Sequence, residues 1–304
     1  MEQVAIAIDL GGTAIKYGLT SYDGKILWEN SIETPNDSRA TVIDQLNSCI
    51  SEVKASAKND AHIACIGIGT PGLVDINDGI VMGGADQLPD WENLPLGKIL
   101  SETNGLPVFV DNDANMMGLG ESVYGSDQKG INLIFVTIGT CIGGAIIING
   151  DLYRGHFFAG AELGCIPMTF DGAHGNWEDF GSTEALIRRY KQLSKSDSDQ
   201  INGKYIFELE DKQDSVAIQA IEEHVDLMGQ GLGALMNIFN PEKIVVGGGI
   251  SERGKDYIDR VHAAALKYAL VDCSRNVEVT AATLGNKAGF LGAGYFALHQ
   301  LNKS

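Results

Sequence analysis

Val108–Glu121, VFVDNDANMMGLGE, joins a short apolar run to Asp111, Asn112 and Asp113 and continues into a segment with helical character. A buried strand that ends this way delivers polar side chains to its carboxyl end, where open α/β sheets place their ligands. Asp113 also stands where a helix N-cap is expected, beside the positive end of the helix dipole. An Asp in front of a helix is by itself most often only a cap. Whether Asp113 does chemistry therefore depends on what the rest of the chain brings.

The chain has 304 residues, more than one hydrophobic core usually organises, so two lobes are expected. With 22 Lys plus Arg against 40 Asp plus Glu, the net charge is -18. Such a field repels nucleic acid and anionic membrane, so neither is an expected partner, and an anionic small substrate would need a local basic or backbone-amide site. The five cysteines, Cys49, Cys65, Cys141, Cys165 and Cys273, show no CxxC spacing and read as reduced, mostly buried thiols of a cytoplasmic protein. No secretion signal and no membrane-spanning apolar run is evident, and only three residues precede the first expected strand, too few for an N-terminal DNA-binding module.

Upstream of Asp113, Val4–Ile8 is an apolar strand ending in Asp9, and Gly11-Gly12 turn the chain into a second strand, Ala14–Leu19. A Gly-rich turn between strands can aim backbone N–H groups at an anion, although most such turns bind nothing. Ser38–Lys54 has the spacing of a helix, and Ile63–Ile68 is a buried strand. The loop Gly69-Thr70-Pro71-Gly72 that follows is equally readable as a plain turn or as a place for close backbone approach to a ligand.

Downstream, the pattern begins again. Leu133–Ile138 is a strand, Gly139–Gly144 a Gly-rich turn and Ala145–Ile148 the returning strand, so the two halves read as a duplicated α/β fold with a cleft between the copies. Residues 159–182 carry Glu162, Glu178 and Asp179 among glycines and aromatics, carboxylates suited either to sugar hydroxyls or to loop backbone. Thr183–Leu193 is an expected helix, residues 194–214 a polar surface excursion, and Val216–Phe239 a long helix ended by Asn240-Pro241. A strand at Lys243–Val246 runs into Gly247-Gly248-Gly249, which permits a purine or a diphosphate to approach the backbone. A helix over about 255–270, a strand at Val277–Ala281 and a Gly-containing helix from Ala288 to Gln300 complete the chain.

Taken in order, DLGGT (Asp9–Thr13), GIGTPGLVD (Gly67–Asp75), LPDWENLPL (Leu88–Leu96), VDNDAN (Val110–Asn115), TIGTCIGGAIIINGDLYRG (Thr137–Gly155), GAELG (Gly160–Gly164) and NPEKIVVGGGIS (Asn240–Ser251) resemble the ROK family of bacterial sugar kinases and repressors over nearly the whole length. The resemblance implies an actin-like ATPase or hexokinase-type fold. Its small lobe would comprise residues 1–112 with a C-terminal helix at 287–304, and its large lobe residues 113–286. It further implies ATP-dependent phosphorylation of a sugar, with Mg²⁺ accompanying the nucleotide and a homodimer or homotetramer as the assembly. On the matching positions, Asp113 is the catalytic base, and Gly69, Asn112, Glu162 and Glu178 serve the sugar. Asp9, Gly11, Gly12, Thr13, Lys16, Thr137, Gly139, Thr140 and Gly143 serve the phosphates, and Gly247, Gly248 and Gly249 the adenosine. A glucokinase acting on the 6-hydroxyl is the first expectation. A kinase for N-acetylmannosamine, N-acetylglucosamine, fructose or allose, or a sugar-binding regulator without activity, is the alternative.

One departure from the family pattern is large. Cys165 stands where a zinc-binding His is usual, and Thr169, Asp171 and Asn176 stand where three cysteines are usual, so no structural zinc is expected. Cys165, Asp171 and His174 are close in sequence. A lone Cys is usually buried and a lone His usually solvated, so they are not read as a substitute site. Gln87 and Cys141 are smaller departures, at positions where Asn and Gly are common.

Overall fold

The computed structural model of the protein describes residues 2–57, 61–125 and 130–303. In chain order it begins with strands β1 (Glu2–Leu10), β2 (Ala14–Ser21) and β3 (Ile26–Glu33), helix α1 (Arg39–Ser56) and strands β4 (Ala61–Thr70), β5 (Leu73–Asp75) and β6 (Ile80–Gly83). Helix α2 (Leu96–Asn104), strand β7 (Val108–Asn112) and helix α3 (Asp113–Tyr124) follow, then strands β8 (Leu133–Ile138), β9 (Ile142–Ile148), β10 (Asp151–Leu152), β11 (Pro167–Phe170) and β12 (Ala173–Asn176). The remainder is helices α4 (Trp177–Gly181), α5 (Thr183–Ser194), α6 (Gly203–Asp211) and α7 (Ser215–Phe239), strand β13 (Lys243–Gly247), helices α8 (Lys255–Ala265) and α9 (Val271–Ser274), strand β14 (Glu278–Ala281) and helix α10 (Ala288–Lys303).

The duplication read in the sequence is present in the sheets. One has the order β3-β2-β1-β4-β7 and the other β10-β9-β8-β13-β14. In each, the first strand pairs antiparallel with the strand that returns from the Gly-rich turn and, on its other side, parallel with a later strand, β4 in one sheet and β13 in the other. The apolar run of β1 follows from this place in the sheet centre: Val4, Ala5, Ile6, Ala7 and Ile8 are all 0% exposed. The register β4 to β7 sets Gly69 opposite Asp111 and Thr70 opposite Asn112, so both strands deliver their polar ends together.

Contacts divide the chain into two compact units, Met1–Lys129 with Leu152–Gly160 and Thr283–Ser304, and Gly130–Asp151 with Ala161–Ala282. This division places α3 in the first unit instead of starting the second unit at Asp113. The reason is local packing. Helix α10 lies so close to α3 that a Cβ on Gly120 would strike the Ala288 carbonyl, and one on Gly292 the Met116 carbonyl. Buried Glu121 then ties α3 to the chain entering α10, accepting from Thr283 N at 2.9 Å and Leu284 N at 2.7 Å.

Other elements depart from the sequence reading where short or charged stretches hide apolar contacts. The segment after Gly72 contains the β5–β6 hairpin. Residues 194–214 are not only a surface excursion, because α6 inserts Ile206 and Phe207 into the second core. Residues 159–182 contain a 3₁₀ turn at Leu163–Cys165, the β11–β12 hairpin and α4. The long helix expected after Lys255 stops at Ala265.

Candidate active site

In the first unit the candidate site is built on the junction between β7 and α3. Asn112, not Asp113, is the N-cap: its extended backbone lets its Oδ1 accept from Asn115 N at 3.1 Å. Its Nδ2 donates to the Gly72 carbonyl at 3.0 Å, which fastens the loop after β4 to the same residue. Asp113 is thus the first residue of the helix, half-buried, with Oδ1 accepting from Ala114 N at 2.8 Å. Gly69 lies directly beside it, where a Cβ would come within 3.4 Å of the Asp113 Cα and 3.1 Å of Met116 Cγ.

Beneath this junction lies a buried ion pair that the sequence reading did not single out. Asp111 is 1% exposed. Its Oδ2 accepts from Arg154 Nη2 at 2.6 Å and Nε at 2.9 Å. Its Oδ1 accepts from Asn112 N at 2.7 Å and Asn115 Nδ2 at 3.1 Å. The Arg154 guanidinium also lies over the Phe296 ring, 5.5 Å from its centroid. Arg154 is remote from Asp111 in sequence, and its only signal was its place in the TIGTCIGGAIIINGDLYRG stretch.

The first Gly-rich turn is held in the same unit. Gly11 N donates to Ala14 O at 3.0 Å, Thr34 Oγ1 donates to Gly11 O at 2.6 Å and Thr34 N donates to Thr13 O at 2.9 Å. Gln87 lies over the turn, its Oε1 2.9 Å from where a Cβ on Gly12 would be. Asp9, at the end of β1, is 3.6 Å from Lys16 Nζ. Burial raises its pKa, and Lys16 opposes that rise.

In the second unit the sequence-predicted residues fall into two groups. Glu162 and Glu178 form the first: burial and then the charge of Glu178 raise the Glu162 carboxyl above its ordinary value. Glu178 Oε2 accepts from Ile142 N at 3.4 Å. Glu178 is positioned by its neighbour Trp177, which is 0% exposed, donates from Nε1 to Leu227 O at 3.1 Å and accepts α7 against its ring at Gly231. Trp177 N donates to Ile166 O at 2.7 Å, and Asn176 N to Asp179 Oδ2 at 2.8 Å.

The segment whose ligands depart from the family pattern supports itself. Pro167–Asn176 is an antiparallel hairpin closed by Asp171 at φ 51° and Gly172 at φ 77°, the positive-φ pair of a type I′ turn. Across it Thr169 Oγ1 and His174 Nδ1 are 2.9 Å apart, and Asp171 pairs with Arg189 at 3.4 Å. Among the described residues, no group of three or more His, Cys, Asp or Glu is placed to hold a metal ion.

The second group lines a cavity of about 780 Å³, within the usual range for a small-molecule pocket. Gly139, Thr140 and Gly249 meet there with Thr183, Gly203 and Phe207. The turn is fixed by Gly139 N donating to Cys141 O at 3.0 Å and Thr183 N donating to Gly139 O at 2.9 Å. Thr137 pairs with Gly143 across the hairpin, and Gly247 pairs with Thr137 in the neighbouring strand. Gly248 is required twice over, by φ 87° and by a carbonyl of Ile138 where a Cβ would stand. The cavity's α5 wall matches the helix expected at Thr183–Leu193, whereas its α6 wall was invisible in the sequence because Ser194–Asp214 reads as solvated. Arg253 secures that wall, covering Phe207 at 5.2 Å and donating from Nη1 to Asp211 Oδ2 at 2.9 Å.

The ROK family profile matches residues 5–300. A glucokinase from Streptomyces coelicolor is 34% identical over 311 residues, covering 95% of this chain and 96% of that protein. A beta-glucoside kinase from Listeria monocytogenes is 33% identical, with 98% of each covered. The crystal structure of a ROK family glucokinase from Streptomyces griseus, in complex with glucose and AMPPNP, superposes with a TM-score of 0.83 at 32% identity, covering 97% of this chain and 99% of that one.

Proposed function

Because the chain belongs to the ROK family of actin-like ATPase fold, and is an ATP-dependent sugar kinase, we propose that it is a glucokinase transferring the γ-phosphate of ATP to the 6-hydroxyl of glucose. The observation that carries this reading is the likeness to glucokinases over nearly the whole chain, taken with a carboxylate at Asp113 set beside a residue without a side chain, Gly69.

A sugar hydroxyl is a poor nucleophile, and phosphoryl transfer asks chiefly for positioning and charge stabilisation. In this reading Asp113 accepts the proton of the attacking hydroxyl as the O–P bond forms. Its place in the first turn of a helix anchored by Asn112 and Asp111 fixes the direction of that carboxylate. Asn112, with Oδ1 and Nδ2 both engaged by the backbone, gives the sugar its remaining amide hydrogen and holds the Gly69–Gly72 loop in place. Glu162 and Glu178 accept from sugar hydroxyls, each carboxylate oxygen taking a directed hydrogen bond and so selecting the ring's orientation.

ATP would occupy the 780 Å³ cavity, with its adenosine against Gly249 and its phosphates toward Gly139 and Thr140. Gly11, Gly12 and Thr13 offer backbone N–H groups for phosphate oxygens, and Lys16 a cation. Mg²⁺ bound with the nucleotide would neutralise charge on the phosphate oxygens, and Asp9, a half-buried carboxylate 3.6 Å from Lys16 Nζ, suits a hard cation.

The test is ADP release with Mg-ATP across a panel of glucose, mannose, fructose, N-acetylhexosamines and a β-glucoside. Glucose should give the highest kcat/KM. The beta-glucoside kinase likeness makes phosphorylation of a β-glucoside the second reading, and a higher kcat/KM for the β-glucoside than for glucose would replace glucokinase. Asp113→Asn should lower kcat by about 10²–10⁴-fold with glucose binding retained. An active Asp113→Asn enzyme would show that another group takes the proton.

A further inference from the structure

Of the five cysteines, Cys49 and Cys65 are buried and Cys273 is half-buried, whereas Cys141 and Cys165 are exposed. The expectation of mostly buried thiols fails at these two, and both lie at the same place in the second unit. Cys141 ends the turn between β8 and β9, and Cys165 closes the 3₁₀ turn after Glu162. The two turns touch. A Cβ on Gly164 would strike the Ile142 carbonyl oxygen and come within 2.9 Å of Glu178 Oε2, the oxygen that accepts from Ile142 N. Cys141 and Cys165 are therefore the chain neighbours of two residues that meet on one carboxylate oxygen. Both thiols feel the charge of the Glu178 carboxylate, and Cys141 that of Cys165.

From this juxtaposition we infer that Cys141 and Cys165 form a reversible disulfide across the Glu178 carboxylate, a thiol switch that withdraws Glu178 from the sugar. The consequence for sugar rests on the kinase reading above; the cross-link itself does not. Both cysteines lie in turns outside the sheet, so the backbone can adjust to disulfide geometry without breaking a strand pair. The oxidant is a small-molecule disulfide. One protein thiolate attacks it, forming an S–S bond and expelling a small thiolate. The second protein thiolate attacks the mixed disulfide and expels the other. Two protein thiols lose two electrons and two protons in all, and the oxidant leaves as two thiols. Burial and the nearby carboxylates raise both thiols, so thiolate is scarce at neutral pH and the exchange accelerates as pH rises. In the cross-linked form the new S–S bridge covers the Glu178 oxygen that accepts from Ile142 N.

The test uses the native full-length protein incubated with oxidised glutathione and then digested without reduction. Trypsin separates Cys141 in Gly130–Arg154 from Cys165 in Gly155–Arg188, so the cross-link appears as one joined peptide two hydrogens lighter than the sum. The expected result is this peptide as the main product. Glucose affinity by calorimetry should be about tenfold or more weaker, as for loss of a charge-assisted hydrogen bond, and dithiothreitol should restore it. Bound glucose should slow the cross-link, and Cys165→Ser should show neither the joined peptide nor any response to oxidant. Persistently reduced thiols, a different pairing, or a Cys141–Cys165 bond that leaves glucose affinity unchanged would each overturn the switch. If the joined peptide forms but no sugar binds in either state, the cross-link stands and it is the kinase reading that fails.

Discussion

Replacing Arg154 by Met should damage the first unit more than its part-exposed position suggests. The Arg154 side chain is 17% exposed and the Asp111 side chain 2%. Asp111 Oδ2 takes both of its protein hydrogen bonds from Arg154, at 2.6 and 2.9 Å, so the substitution leaves a carboxylate oxygen buried without its donors. Removing one partner of such a pair costs about 3–5 kcal/mol, whereas replacing both by apolar groups is often neutral. For a unit of this size each kcal/mol corresponds to about 2–4 °C in Tm, giving an expected fall of roughly 6–20 °C. Arg154→Lys should recover only part of it, since one ammonium cannot reproduce the two parallel donations. The assay is calorimetric unfolding of wild type, Arg154→Met, Asp111→Leu and the double variant. The double variant should be more stable than the sum of the single losses, by about 1–3 kcal/mol of coupling. Turnover carries the functional half of the prediction: kcat should fall with KM for ATP little changed, because the pair supports the Asn112–Asp113 corner and not the nucleotide cavity. Strict additivity, or a Tm shift under about 2 °C, would refute the argument from the buried charge.

Three further outcomes follow from the same geometry. The Glu162 carboxyl is raised from its ordinary value of 4.5, so between that value and its folded pKa the folded chain holds the extra proton, and this group's contribution to stability declines as pH rises through that window. Sugar hydroxyls favour the ionised form, so glucose should bind more weakly as pH falls and expel protons in acid, read by calorimetry in buffers of different ionisation enthalpy; proton release unchanged in Glu162→Gln would remove Glu162 from the role. Buried His224, bonded through Nε2 to Tyr257 OH at 2.8 Å, is pushed down from 6.5 to about 4 by burial. The neutral ring's contribution is complete above 6.5 and is lost as pH falls toward 4, about 3 kcal/mol in all, so urea unfolding of His224→Phe should lose most of this acid dependence. Gly248→Ala, forced to φ 87° against the Ile138 carbonyl, should raise KM for ATP and leave glucose binding unaltered, and a normal KM would contradict the tight seat of that loop.

Much of the architecture is written in local pattern. The apolar runs of β1, β4 and β8, the glycines between paired strands and the helical spacing after Ser38 and Asp214 each carry their own physical cause. What could not be read is what depends on partners distant in sequence. Arg154 is an ordinary basic residue until the fold sets it against Asp111. Residues 203–211 look solvated because four of nine are charged, yet Ile206 and Phe207 suffice to dock the helix. The cap at α3 moved by one residue because the extended backbone of Asn112, and not that of Asp113, lets a side chain turn back to Asn115 N. Glu178 could be named from its motif, but its support could not: Trp177 and a hairpin closed by Asp171-Gly172 leave no short-range signature resembling a metal site.

Helix α10 carries a consequence for how the protein is made. The first unit includes α10, whose Gly292 seats against α3, and Gly67 of β4 accepts the backbone of Ala293. The ribosome delivers α10 only after the whole of the second unit, which is nearly continuous from Gly130 to Ala282. The nascent first unit must therefore wait with the α10-facing side of β1 and β4 uncovered while the later unit closes, the reverse of simple vectorial folding. That waiting sheet is the stage at which a chaperone would have most to protect.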